Sequence, residues 1–143
     1  MKITQISVFL ENRKGRLYDV CSLLGENQIN IRALTIAETE NFGVLRIVTN
    51  KPEEAVKVLK NNGFAANITD VVIVEVEDKP GGLAKVLKIL NDNNINIEYM
   101  HAFMRKHIDK SYMVFRFDDP DAAINVLKSN KINIIDENSI SEI

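Results

Sequence analysis

Glu11-Asn12-Arg13-Lys14-Gly15-Arg16-Leu17 and Glu77-Asp78-Lys79-Pro80-Gly81-Gly82-Leu83 are one phrase written twice, 66 residues apart from Gly15 to Gly81. The echo continues outward at the same offset: Asn27-Gln28-Ile29-Asn30-Ile31 is answered by Asn93-Asn94-Ile95-Asn96-Ile97. Further on, Asn50-Lys51-Pro52-Glu53-Glu54-Ala55 is answered by Asp118-Asp119-Pro120-Asp121-Ala122-Ala123, now 68 apart from Pro52 to Pro120. The chain is therefore a tandem repeat of two units, and a repeat of this kind implies a pseudo-twofold molecule with a seam between copies where a ligand can sit.

Local patterns around the phrase predict the same elements in each copy. Ile3 to Leu10 is rich in β-formers and ends in a polar turn, as a strand does. Leu17, Val20, Cys21 and Leu24 then fall at i, i+3, i+4 and i+7, one apolar stripe of a helix that ends near Gly25 to Asn27. Ile29 to Ala37 and Phe42 to Thr49 predict a strand pair, Pro52 opens a second helix that Gly63 stops, and Phe64 to Thr69 predicts a closing strand. The second copy repeats the order with strands at Val71 to Val76, Ile95 to Met104, Tyr112 to Phe117 and Ile132 to Ile135, and helices through Leu83 to Leu90 and Ala122 to Leu127. Each unit reads βαββαβ, so the fold class is α+β: two tandem ferredoxin-like units, residues 1–69 and 70–143, with antiparallel sheets packed side by side and helices on one face. The strands Phe42 to Val48 and Tyr112 to Phe117 carry apolar side chains on both parities, which predicts a second buried sheet face and hence a homodimer through sheet faces.

Composition narrows the function. Net charge is −2 with the signs interspersed, so nothing marks an anionic membrane or nucleic acid as a partner. No apolar run is long enough for a transmembrane helix, the N-terminus lacks a signal-peptide core, and the single cysteine, Cys21, cannot form an internal disulfide; the expected location is cytoplasmic. His101 and His107 are the only histidines and have no companions at metal-ligand spacing, so no metal site is expected. Phosphate-binding glycine motifs are absent, so no cofactor is expected, and no serine or cysteine is placed to suggest a nucleophile. Phe115 and Phe117 alternate as a base-stacking platform would, without the basic surround that RNA requires.

The repeated phrase is the candidate site. Each copy leads from a strand end into the first turn of a helix, where backbone N–H groups and the positive helix end receive a small carboxylate, and a glycine lets the ligand approach the backbone. Asn30 and Asn96 add amides that both donate and accept, as a zwitterionic ligand requires. A second reading stays open here: Gly15, Gly81 and Gly82 serve only the tight turn, and Asn12, Asp78, Asn30 and Asn96 only shape turns and strand starts.

Taken together, these segments resemble the ACT domain, the ferredoxin-like amino-acid sensor of many metabolic enzymes. The two phrases are similar to its strand-to-helix loop and Asn-x-Ile-Asn-Ile to the start of its second strand, and the group most resembled is that of small stand-alone tandem ACT proteins. The resemblance implies a non-catalytic regulatory protein that holds a free amino acid or similar metabolite between two ACT units. Asn12, Gly15, Arg16 and Leu17 would face Asn30 and Ile31 or their equivalents Asn96 and Ile97, while Asp78, Gly81, Gly82 and Leu83 serve in the second copy. Lys14 stands where the family pattern has proline, which implies a looser first loop. Asp78 replaces Asn12, which suits Asn12 to a carboxylate and Asp78 to an ammonium. The alternative is a regulatory subunit whose output is contact with an amino-acid metabolic enzyme.

Overall fold

The computed structural model describes residues 1–38, 40–104 and 109–140, so His107 lies outside the described residues. Among the described residues the elements follow in the order β1 (Ile3–Glu11), α1 (Arg16–Glu26), β2 (Ile31–Glu38), β3 (Phe42–Thr49), α2 (Pro52–Asn61), β4 (Ala65–Glu77), α3 (Gly82–Asp92), β5 (Ile97–Ala102), β6 (Lys110–Phe117), α4 (Pro120–Ser129), β7 (Ile134–Ile135) and α5 (Glu137–Ile140). The chain forms two compact units, Thr4–Thr69 and Asp70–Ile143, the latter joined by Met1–Ile3. Both are of the βαββαβ kind.

In the first unit the strand order is β2-β3-β1-β4, with β3 antiparallel to both neighbours. Ile6, Val8 and Leu10 of β1 and Leu45 and Ile47 of β3 point to one face and meet Val20 and Leu24 of α1 and Ala55 and Leu59 of α2 in a single core. Helical spacing turns those four residues inward, while Glu53 and Glu54 sit in the first turn of α2, where the positive helix end favours them. Gly63, at φ 84°, ends that segment in the left-handed region that a glycine enters without penalty.

The second unit repeats the plan, with β6 between β5 and β4 and with β7 on the other side of β4. Val72, Val74, Val76, Phe115 and Phe117 pack against Val86, Leu90, Ala123 and Leu127. The rings of Phe115 and Phe117 stack with centroids 5.4 Å apart and are fully buried, so the alternation that resembles a base-stacking platform belongs to the core.

Two expectations are corrected. The segments Phe64 to Thr69 and Val71 to Val76 are not separate strands, because β4 runs unbroken from Ala65 to Glu77; the carbonyl of Asp70 accepts a hydrogen bond from Arg116 at 2.7 Å, so the residue that reads as a break is held inside the strand. The closing strand of the second unit is only Ile134–Ile135, since Lys131 adopts φ 58° and the chain turns there before it can extend. The second sheet face also needs no other copy to account for its apolar residues in the second unit. There Val71, Ile73 and Val114 are fully buried and His101, Phe103, Tyr112 and Ile135 nearly so within one chain. In the first unit the same face is graded: Gln5, Ala33 and Val48 are fully buried, whereas Phe9 and Phe42 at the opposite end are 48% and 57% exposed.

Candidate functional site

The repeated phrases fold into equivalent loops. In the first, the N–H of Asn12 donates to the carbonyl of Asn41 (3.0 Å), that of Arg13 to Glu11 (2.8 Å), and that of Asp19 to Gly15 (2.9 Å). In the second, Asp78 donates to Asp109 (2.8 Å), Lys79 to Glu77 (3.0 Å), and Lys85 to Gly81 (3.0 Å). Gly15 at φ 93° and Gly81 at φ 83° occupy the left-handed region at the N-cap, and neither helix start is capped by a side chain. The first N–H of each turn bonds within its own loop, and no capping side chain serves the others.

The loops differ at one place. A Cβ on Gly82 would lie 2.0 Å from the carbonyl oxygen of Glu77, so only glycine fits, and the N–H of Gly82 reaches Lys79 at 2.9 Å. Arg16 stands at the same place in the first loop, and its N–H reaches Arg13 at 3.4 Å. That bond is the longer of the two, in the loop where Lys14 stands in place of Pro80.

The flanking charges are also repeated. Arg13 pairs with Glu11 at 3.3 Å, and Lys79 with Glu77 at 2.7 Å. The hydrogen bond and charge of Lys79, aided by Lys85 and Lys110, hold the Glu77 carboxyl below the usual carboxylate value, and the same contact raises the Lys79 ammonium.

Strand register separates the predicted residues within a unit. Glu11 is opposite Phe42 and Glu38 opposite Gly43, so Asn12 to Leu17 lie at one end of the sheet; Ile31 is opposite Thr49, at the other end. Seven residue steps along β2 place the two groups roughly 23 Å apart. In the second unit Glu77 faces Lys110 while Ile97 faces Phe117, with the same result for Asp78 to Leu83 and Asn96 to Ile97. Asn30 is engaged locally, its N–H donating to Asn50 Oδ1 at 2.9 Å. The Asn12 amide is engaged too, its Nδ2 donating to the carbonyl of Glu40 at 3.1 Å, so the donor that suited it to a carboxylate already holds the β2–β3 turn.

A cavity of about 100 Å³ lies beside the first loop, lined by Asn12, Arg16 and Leu17 together with Leu10, Glu11, Arg13, Ile36, Glu38 and Gly43. Leu10, Leu17 and Ile36 form apolar walls; Arg16 and Glu38 bring opposite charges. The Arg16 side chain is only 21% exposed, its guanidinium lies 4.4 Å over the Phe64 ring and 3.6 Å from Asp19, and its Nε is buried without a hydrogen-bond partner. Sequence reasoning missed Leu10, Ile36 and Glu38, because they belong to β1 and β2 and only pairing brings them to the loop.

In the first unit Arg16 and Phe64 also line an open cavity of about 320 Å³ with Asp19 and Asn62; in the second unit Gly82 and Ile132 stand at their places. A cavity of about 270 Å³ lies there, lined by Glu75, Glu77, Lys85, Lys110 and Lys131 among others. Among the described residues no group of three histidine, cysteine, aspartate or glutamate side chains could hold a metal ion, and no helix is long and apolar enough to cross a membrane.

A family model described as ACT domain pair matches residues 1–143. Among solved structures, protein BT0572 from Bacteroides thetaiotaomicron shares 40% identity over 100% of this chain and 98% of that one, with a TM-score of 0.94. The regulatory subunits of aspartate kinase from Thermus thermophilus (16% identity, TM-score 0.66, 88% of this chain and 91% of that one) and Thermus flavus (17%, 0.62, 88% and 90%) share the fold. Among curated proteins none matches.

Proposed function

From the premise that this chain belongs to the ACT domain pair family, we propose that it is a non-catalytic cytoplasmic sensor whose domains, residues 1–69 and 70–143, serve to bind a free amino acid and report it. The observation that carries this reading is the first-loop cavity. It sets an uncapped helix start, the Arg13–Glu11 ion pair, the further charges of Arg16 and Glu38, and three apolar side chains around a space of about 100 Å³. That set matches a free amino acid, which has a carboxylate, an ammonium and a short side chain, and it holds no serine, cysteine or histidine.

Typical ligand cavities begin at roughly 300 Å³, so this one is part of a site that a further surface closes. We assign that surface to a second copy of the chain, consistent with the exposed Phe9 and Phe42 at the same end of the sheet. Ligand then acts by favouring the closed assembly, because it binds that state better than the open one. The family resemblance also suits a second role, as regulatory subunit to an amino-acid metabolic enzyme, with the ligand setting the affinity for the partner.

Affinity in the micromolar to millimolar range, roughly 4 to 8 kcal/mol, is what a few hydrogen bonds and a helix end provide. The test is a thermal-shift panel of the common amino acids and their keto-acid relatives at millimolar concentration, with sedimentation of the same samples. Ligand at a hundred times its dissociation constant stabilises by about 2.7 kcal/mol. A selective upward shift supports the reading, and a flat panel overturns it.

A further inference from the structure

The two copies are alike in backbone and unlike in charge. Strand register fixes which residues correspond: Glu11 opposite Phe42 matches Glu77 opposite Lys110, and Ile36 opposite Leu45 matches Ala102 opposite Met113. One step beyond Ala37, paired with Val44, stands Glu38; one step beyond Phe103, whose N–H bonds the carbonyl of Tyr112, stands Met104. The second-unit equivalents of Arg16 and Glu38 are therefore Gly82 and Met104. Both charged arms of the first cavity are absent from the second loop, and the close approach of Glu77 to Gly82 leaves no room to restore the arginine.

We propose, resting on the amino-acid-binding reading above, that the chain carries one side-chain-anchored amino-acid site and not two, and that Arg16 and Glu38 of the first unit read the two ends of the zwitterion. Arg16 supplies the carboxylate contact. Its Nε is buried and unpartnered, its ion pair with Asp19 is long at 3.6 Å, and its guanidinium lies 4.4 Å over the Phe64 ring. The other basic side chain of the cavity, Arg13, is already paired with Glu11. Glu38 supplies the ammonium contact, since Glu11 is the acid that Arg13 neutralises. Leu10, Leu17 and Ile36 then face the side chain, and these apolar walls favour an aliphatic one over a charged one, which would be buried there unpaired. The ligand class is the small aliphatic amino acids. In the second copy Leu83, Val76 and the Glu77–Lys79 pair remain, but the equivalents of Arg16 and Glu38 do not, which leaves that loop without the selective role.

Calorimetric titration of the full-length protein with glycine, alanine and valine, each compared with its amide and its N-acetyl derivative, tests this. The expected wild-type result is one ligand per chain, with both derivatives at least tenfold weaker. Arg16→Gln should weaken the free amino acid at least tenfold and abolish its advantage over the amide, with Arg16→Lys recovering part of it. Glu38→Gln, at an exposed position that does not endanger folding, should abolish the advantage over the N-acetyl form. A purely structural role for either residue would weaken all three ligands alike, which overturns the inference. Two ligands per chain, or unchanged selectivity in both variants, also overturns it while the sensor reading survives. No binding to wild type by any amino acid defeats both.

Discussion

Gly82→Ala is the sharpest perturbation the structure offers. The new Cβ would lie 2.0 Å from the Glu77 carbonyl oxygen, 3.0 Å from its carbonyl carbon and 3.3 Å from its Cβ. Even a close carbon–oxygen contact is about 3.3 Å, so the loop or the end of β4 must move by about 1.3 Å. Both are backbone, and Gly82 is buried at the start of α3. Overpacking of this kind costs about 1 to 3 kcal/mol and more where backbone must give way, while alanine recovers up to ~1 kcal/mol of helix propensity. Taking the upper end, about 3 kcal/mol, because both groups are backbone, the net loss is about 2 kcal/mol or more. Urea denaturation measures it directly. For a chain of 143 residues unfolding as one, each kcal/mol also lowers the melting temperature by about 3 °C. Gly81→Ala is the comparison: open space surrounds it, and only its φ of 83° resists, at about 1 to 2 kcal/mol. Gly25→Ala, in open space within α1, should be neutral or stabilising by up to ~1 kcal/mol. If Gly82→Ala proves no worse than Gly81→Ala, the contact with Glu77 does not explain why the second loop abandons the arginine of the first.

The two N-caps give a paired prediction: Asp119 accepts a hydrogen bond from the Ala122 N–H, whereas Lys51 at the same place in the first copy makes no such bond. Asp119→Ala should therefore cost about 1 kcal/mol and Lys51→Asp should gain a similar amount, both read from urea midpoints. Burial raises the Cys21 thiol above its ordinary value, so alkylation by iodoacetamide at neutral pH should run slower than for a free thiol and accelerate on denaturation; a rate equal to that of glutathione would contradict the placement.

Much of the fold was legible because the repeat states it twice. The offset of 66 aligns β1, α1 and β2 with β4, α3 and β5, and the helical stripe at Leu17, Val20, Cys21 and Leu24 leaves little doubt about its element. What could not be read was continuity and register. Asp70 is a poor strand former, and nothing in the sequence says that Arg116 would reach its carbonyl and keep β4 whole. The loops were legible as turns, while the distance between Asn12 and Asn30 depends on strand direction. The amide of Asn12 could not be known to serve the Glu40 carbonyl. The charges of the cavity had a signal in the sequence that went unused: laying the copies side by side shows Arg16 against Gly82 and Glu38 against Met104, a loss of both signs at once.

Strand β4 has a practical consequence for anyone who wishes to take the molecule apart. Its thirteen residues supply Ala66 to the first core and Val72, Val74 and Val76 to the second. Between them lies no spacer where a stop codon or a protease site could be introduced without cutting through a hydrogen-bonded strand. A clone ending at Thr69 would carry a frayed final strand, and one beginning at Asp70 would lack the Met1–Ile3 stretch that belongs to its unit. Halves made this way would be prone to pair their exposed edges with each other, so a failed half-clone would report on the cut and not on the independence of either repeat.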